Sequence, residues 1–322
     1  MRCPVTKIFG GLFSTFLVYA SVDAADKIRI AVPDPTAQFI TFPLAQKKGF
    51  FKEEGLDVEV IQIVGSSAPA ALVNGEIDYF TGLGSTVSGI LQGLPLKIVA
   101  CYAPASTYML IARPEITSVP ELKGKTLGVA AYGHGSHIIA RLVVRHFGLD
   151  PEKDIKFLPI GSGRASREKL SQGLIDATVS FPPFVFQEQR QGFNVLARAY
   201  ELFSSPQSVL SVHVKKITER PDEIRRVIKA GIRANRYIRG NRDGMIEFLM
   251  ERYKIDREIA AATHESLQKA FSDDGSIPEM GLRLVIEEAK KSAKVEREVP
   301  FSEVADLSIL TRAQKELGIQ GK

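Results

Sequence analysis

The chain has no tryptophan and only two cysteines, Cys3 and Cys101, in 322 residues. That scarcity excludes a disulfide-stapled scaffold and a cysteine-rich zinc module, so stability has to come from core packing. Beyond residue 24 there is no apolar run of the ~20 residues that a membrane-spanning helix needs, so a chain embedded in a bilayer is not expected. Basic residues are scattered, 42 Lys and Arg against 37 Asp and Glu. They form no stripe and carry no interleaved aromatics, which argues against nucleic acid as a partner. Also missing are a Gly-x-Ser-x-Gly elbow, a Gly-x4-Gly-Lys-Ser/Thr loop and a His-Glu-x-x-His pair. Acid–base groups distant in sequence stay open. His134, His137 and His146 lie close together, but no further His or Cys cluster joins them to complete a transition-metal set. Neither a metal nor a cofactor is expected.

What is there begins with the first 24 residues. Arg2 and Lys7 form a positive start, Ile8–Ala20 is apolar, and Val22-Asp23-Ala24 puts small residues at the −3 and −1 positions. This pattern predicts a cleavable secretory signal with cleavage near Ala24. Cleavage would remove Cys3 and leave Cys101 without an intramolecular partner. Cys3 precedes the apolar run, so it is badly placed for a lipid anchor. The formal charge would move from 42 − 37 = +5 to 40 − 36 = +4 as Arg2, Lys7 and Asp23 leave. A free periplasmic protein is the expectation.

The mature chain contains one segment twice. Gly65-x6-Leu72-x-x-Gly75-x-Ile77-Asp78 returns as Gly163-x6-Leu170-x-x-Gly173-x-Ile175-Asp176, at a constant offset of 163 − 65 = 98. Upstream, Lys27–Val32 lies opposite Lys125–Ala130 at the same offset. Two similar α/β units imply two lobes facing each other, and clefts between lobes are where small ligands bind.

Local patterns agree. Strands are predicted at 27–32, 56–64, 77–81 and 96–101, alternating with helices at about 41–49, 66–74 and 85–92. A second series has strands at 126–130, 155–159, 175–180 and 195–199 with helices at 136–147, 164–172 and 185–191. Short connections and strict alternation predict parallel α/β sheets. Tyr108–Ala112 and Ser208–Val214 are read as crossings between the units. From Pro221 the period becomes helical, over roughly 222–239, 243–254, 256–270, 278–293 and 302–317.

The stretch Pro43-Leu-Ala-Gln-Lys-Lys-Gly-Phe-Phe-Lys-Glu-Glu-Gly-Leu-Asp-Val-Glu-Val60 is the most specific text in the chain. It resembles the first helix and second strand of periplasmic solute-binding proteins of the nitrate, taurine, alkanesulfonate and pyrimidine-precursor group, which serve ATP-driven (ABC) importers. The doubled Gly-x-Ile-Asp and Leu122-Lys-Gly-Lys125 fit the same group. The resemblance covers about residues 26–215 well. It implies an α/β, two-lobed periplasmic binding protein of type II, with two crossover strands and a helical C-terminal region. The lobes would be 26–107 plus 209–322, and 108–208. Implied partners are a small organic or anionic solute and an inner-membrane ABC permease, with the protein itself a monomer and not an enzyme. Two rivals remain: an enzyme on the same fold, as in the pyrimidine-synthesising branch, and a ligand-sensing periplasmic protein. That enzyme branch carries a cysteine-rich motif, which this chain lacks.

In open α/β sheets ligands lie beyond the carboxyl ends of the strands, against helix N-termini. That rule selects Gln38 and Phe39 after the first strand, Gly65 and Ser66 after the second, and Ser85 and Thr86 after the third. In the second unit it selects Tyr132, His134, Gly135 and Ser136, then Arg164, then Phe181. Tyr108 on the crossing completes the set. Glycine admits close backbone approach, hydroxyls donate, and exposed amides with the helix dipole favour an anion. Each has a plain competitor, since Ser and Thr are common N-caps and aromatics commonly fill cores. Arg164 would supply a counter-charge or else lie solvated on its helix. Asp34 would receive an amino group or merely shape an Asp-Pro turn.

Overall fold

The computed structural model describes Met1 and residues 26–319. The predicted cleavage near Ala24, and the leader with Cys3, lie outside the described residues apart from Met1. Ten strands follow: β1 Asp26–Val32, β2 Leu56–Gln62, β3 Tyr79–Gly82, β4 Leu96–Ala103, β5 Met109–Ala112, β6 Thr126–Val129, β7 Lys156–Pro159, β8 Ala177–Ser180, β9 Asn194–Arg198 and β10 Ser208–His213. Helices α1 Thr41–Lys47, α2 Phe50–Glu53, α3 Ala68–Val73 and α4 Leu83–Leu91 join the early strands. Helices α5 Gly135–His146, α6 Gly163–Ser171, α7 Phe184–Arg190 and α8 Ala199–Leu202 accompany the later ones. The remainder is helical: α9 Val214–Glu219, α10 Pro221–Gly240, α11 Arg242–Tyr253, α12 Arg257–Ala270, α13 Glu279–Ala293, α14 Phe301–Val304 and α15 Ser308–Glu316.

The strands form two five-stranded sheets of matching plan, β2-β1-β3-β10-β4 and β7-β6-β8-β5-β9. The repeat underlies the match. In each sheet the first strand of the repeat sits between the second and third, parallel to both. Gly75 and Gly173 take the left-handed conformation at φ 74° and 71°, ending α3 and α6 in the way a C′ glycine does. The aspartates that follow do the same work twice. Asp78 Oδ2 accepts from the Arg29 amide at 2.9 Å, and Asp176 Oδ2 from the Thr126 amide at 2.8 Å. Each ties the third strand's entry to the first strand.

The sheets are mixed, where the alternation of elements predicts parallel ones. β10 runs antiparallel to both β3 and β4, and β5 antiparallel to both β8 and β9. The reason is directional. A strand arriving from the other sheet enters at the cleft end, whereas its neighbours run towards the cleft.

Apolar cores cover both faces of each sheet. Ile28, Ile30, Tyr79 and Leu210 pack with α10, α11, α12 and α15 on one face of the first sheet. Phe80, Ile98 and Val209 pack with α4, α13 and α14 on the other. The second sheet has its own cores, around Leu110, Leu127 and Val179 and around Met109, Ile111 and Val185. Some predicted bounds change. Thr41 lies inside α1 rather than capping it, and donates to Asn235 Oδ1 at 2.8 Å. The last predicted helix is split, because Ala305 bridges to Ile98 and the Asp306 amide donates to the Ile98 carbonyl.

Candidate ligand-binding site

Between the sheets lies a cavity of about 160 Å³. One water needs roughly 10–15 Å³ on this measure, so the space suits a molecule of several heavy atoms. A bare ion would leave it mostly empty, and a folded peptide would not fit.

Three helices open on it. Gly82–Ser85 at the start of α4, His134–Ser136 at the start of α5 and Ser162–Gly163 at the start of α6 all line the cavity. First-turn amides have no intrahelical acceptor, and the dipoles add partial positive charge. The approach is close. A Cβ on Gly84 would fall 2.8 Å from the Gly135 nitrogen, so α4 and α5 meet backbone to backbone across the cleft. A Cβ on Gly65 would fall 2.8 Å from Ser85 Oγ and 3.6 Å from His134 Nδ1, which brings these three residues together. The Ser136 hydroxyl accepts from the Ala130 amide at 3.0 Å. Burial holds the His134 imidazole below its ordinary pKa, so the ring is neutral at pH 7.

The two crossings form one wall through a buried amide network. Gln207 Nε2 donates to Gln38 Oε1, while Gln207 Oε1 accepts from Ser106 Oγ at 2.8 Å and the Thr107 amide at 3.1 Å. Tyr108 and Phe181 meet edge to face, ring centroids 5.8 Å apart. Phe39 lines the cavity as well.

Nine of the thirteen residues selected from sequence therefore line one cavity: Gln38, Phe39, Gly65, Ser85, Tyr108, His134, Gly135, Ser136 and Phe181. The other four lie elsewhere. Ser66 is an exposed turn residue. Thr86 is fully buried behind the wall, donating to the Gly82 carbonyl at 2.8 Å and 2.9 Å from Ser211 Oγ, where it ties α4 to β10. Tyr132 points outward and donates to the Phe157 carbonyl at 3.0 Å. Arg164 is a surface residue paired to Glu168 one turn on.

Asp34, left open in the sequence between receiving an amino group and shaping a turn, lies in the cavity wall, whereas Arg167 and Val285 escaped sequence reasoning. Asp34 is the one Asp, Glu, Lys or Arg in the lining among the described residues. Burial raises its pKa, and the charge of Arg167 partly offsets this. Arg167 itself lies just behind the wall, its Cζ 4.3 Å from the Phe184 ring centroid and 5.1 Å from that of Phe181. Its Nε pairs with Glu188 Oε1 at 3.2 Å. A signal for it existed. Gly163, Ser166, Arg167 and Leu170 fall at the i, i+3, i+4, i+7 spacing of one helix face, and Ser166 and Leu170 are buried. Val285, on the C-terminal α13, also reaches the cavity. No group of three or more potential metal ligands occurs among the described residues.

This architecture, two matching sheets about a cavity, is shared with known proteins. The periplasmic nitrate-binding protein NrtA from Synechocystis PCC 6803 superposes with a TM-score of 0.76 at 14% identity, over 92% of this chain and 90% of that one. The fold is that of the two-lobed periplasmic binding proteins. More narrowly, a family model described as NMT1/THI5 like matches residues 36–243, and the chain belongs to that family. A candidate binding protein of Bacillus subtilis (strain 168), YtlA, is 22% identical over 95% of this chain and 96% of its own length. A yeast enzyme, the 4-amino-5-hydroxymethyl-2-methylpyrimidine phosphate synthase THI13 of Saccharomyces cerevisiae, is 28% identical over 162 residues. That match spans 48% of this chain and 46% of the enzyme.

Proposed function

We propose that the protein is an extracytoplasmic solute-binding receptor. It closes its lobes, 26–107 plus 209–322 and 108–208, on one small solute and delivers it to an ATP-driven importer in the inner membrane. The observation that carries the reading is the cavity between the sheets, walled by both and by the starts of α4, α5 and α6. Family membership and a binding-protein relative matched over nearly its whole length point the same way. Among the described residues no helix is long and apolar enough to cross a membrane. Closure then works by differential affinity: contacts made only when both lobes touch the solute favour the closed form.

The yeast relative supports one alternative, an enzyme on this fold. Against it stands the position of the one cysteine among the described residues. Cys101 is fully buried on β4, and burial pushes its thiol well above the ordinary range, so no accessible thiolate is present.

Calorimetry on the mature chain, unfolded and refolded to strip carried-over solute, separates these readings. The panel is taurine, alkanesulfonates, nitrate, aromatic acids and aminopyrimidines. Saturable binding of one class at one site per chain, with the solute recovered unchanged, is the expected result. At a hundredfold excess over Kd the stabilisation is about 2.7 kcal/mol. Chemical conversion of the bound compound would overturn the receptor reading in favour of the enzyme.

A further inference from the structure

The lining holds one formal charge among the described residues, the carboxylate of Asp34. Asp34 is half-buried in the loop after β1, between Pro33 and Pro35, two residues that stiffen its backbone. An aspartate that merely shapes a turn bonds a backbone amide close by. Asp34 does not. Its carboxylate accepts no hydrogen bond and enters no salt bridge within the protein. Nor is it sealed off, in contrast to the partnerless Glu188 Oε2 and Ser205 Oγ, which are buried outright. Its charge is felt by Arg167 of α6, on the second sheet, so the carboxylate looks across the cleft. Arg167 does not neutralise it. That guanidinium pairs with Glu188 at 3.2 Å and lies over the Phe181 and Phe184 rings. The other titratable groups that face Asp34 or share the lining are uncharged at pH 7. Burial pushes the Tyr108 and Tyr253 hydroxyls up to about 12 and holds the His134 imidazole below its ordinary value. A half-buried carboxylate without a counter-charge in contact favours any cation that reaches it.

We propose that Asp34 is the specificity-determining residue of the cavity, and that it receives a cationic nitrogen of the solute, an ammonium or amidinium whose N–H groups donate to the carboxylate. The inference rests on the receptor reading and names the chemical class of its solute. The body of such a solute lies against Phe39, Tyr108 and Phe181, which line the same space. A charge-assisted bond of this kind is roughly twice as strong as a neutral one. A solute without an N–H forfeits the bond, and one whose only charge is negative meets the Asp34 charge instead.

The test uses small probes and needs no knowledge of the natural solute. Ethylammonium and acetamidinium chlorides are titrated into the mature protein at constant ionic strength. Acetamide, with N–H donors but no charge, and tetramethylammonium, with charge but no N–H, are the counterparts. The Asp34 carboxyl carbon is followed by NMR in the unaltered protein. Thermal midpoints are compared in Asp34→Asn and in Asp57→Asn, which makes the same charge change at an exposed position of β2. The expected result is a saturable displacement of the Asp34 signal by ethylammonium and acetamidinium, at concentrations where the counterparts leave it unmoved. Half-saturation should weaken by about tenfold or more in Asp34→Asn and stay unchanged in Asp57→Asn. An Asp34 signal that neither cation moves overturns the proposal, whether or not Asp34→Asn folds. So does equal displacement by acetamide, or equal cation binding in a folded Asp34→Asn. The receptor reading fails separately. In the calorimetric panel, an anionic or uncharged compound held alike by the unaltered protein and Asp34→Asn would keep the receptor and remove this role of Asp34. Conversion of a bound amine into a product would remove the receptor and leave the carboxylate contact standing.

Discussion

Two helix contacts hold the sheets together outside the cavity, and they are built in opposite ways. On one flank α5 meets α13. Glu288 of α13, 1% exposed in its side chain, lies 3.3 Å from Arg141 and 2.7 Å from Arg145 of α5, with Arg141 itself only 3% exposed. On the other flank α7 meets α12 through Arg190, Asp256 and Glu258, whose side chains are 45%, 51% and 87% exposed. Both flanks pair a cation with a carboxylate, yet their energetics differ. A buried pair separated by opening leaves charges that must find water or new partners, so it discriminates sharply between closed and open forms. An exposed pair exchanges one solvated state for another and discriminates little. On the receptor reading, the difference predicts that the α5–α13 flank weighs more in the closure equilibrium than the α7–α12 flank.

The largest expected effect comes from breaking the buried flank. Burial alone would raise the pKa of Glu288, but Arg145, Arg141 and Lys291 hold it below the ordinary carboxylate value. Glu288→Ala takes the buried carboxylate from Arg141 and Arg145 and leaves Arg141 only the exposed Glu152, 2.5 Å from its Nη2, at a cost of roughly 3 kcal/mol. That corresponds to about a hundredfold weaker solute binding, because affinity falls with the closed population. Small-angle scattering should report a more extended average shape. A double replacement, Arg141→Met with Glu288→Leu, should recover much of the loss by substituting apolar packing for the pair. If Glu288→Ala closes and binds like the unaltered protein, the ranking of the flanks is wrong.

The same flank carries an acid-sensitive group. His137 on α5 is 4% exposed, with its ring edge to face between Tyr132 and Phe157 at 5.2 and 5.0 Å. Its Nδ1 accepts from the Gly133 amide at 3.0 Å, which a protonated nitrogen cannot do. Burial first, then the charge of Arg141, lowers its pKa to about 4. The unfolded chain takes up this proton near pH 6.5 and the folded chain only near 4. Stability from His137 is therefore complete above 6.5 and is lost as pH falls from 6.5 towards 4, by up to about 3 kcal/mol. The thermal midpoint should drop across that window in the unaltered protein and drop less in His137→Phe. A flat profile in the unaltered protein would show that the ring is not held neutral. On the exposed flank, the hydrogen bond from Arg190 holds Asp256 below the ordinary carboxylate value.

Much of this plan was legible in the chain, for stated physical reasons. The doubled Gly-x-Ile-Asp carries its own geometry: a left-handed glycine ends a helix, and the aspartate caps the neighbouring strand's entry. The strand-end rule for α/β sheets then pointed to Ser85, Gly135, Ser136 and Phe181, all in the cavity wall. Periodicity could not say which strands pair, so the antiparallel insertion of β5 and β10 went unseen. The strand-end rule selected Arg164, at the start of α6, and passed over Arg167, although helix phase separates an outward 164 from an inward 167. Thr86 shows the same limit, since its hydroxyl serves α4 and β10 rather than the cavity. Contacts such as Arg141 with Glu288 join positions 147 residues apart, and no local pattern announces them.

The smallest effect tests the comparison from its weak side. Arg190 bonds Asp256 and, at 2.6 Å, Glu258, and Asp256 already has a second task as the N-cap of α12, accepting from the Ile259 amide at 2.9 Å. Removing Arg190 therefore leaves α12 capped and uncovers only groups that water can solvate. Arg190→Ala should change solute affinity by no more than about twofold at low salt. Even that change should vanish near 1 M salt, where the Debye length is about 3 Å. Glu288→Ala, by contrast, should keep most of its effect at both salt concentrations, because buried charges are poorly screened. Binding measured at two ionic strengths for both variants decides the matter. A tenfold, salt-resistant loss in Arg190→Ala would mean that the exposed flank, and not the buried one, governs closure.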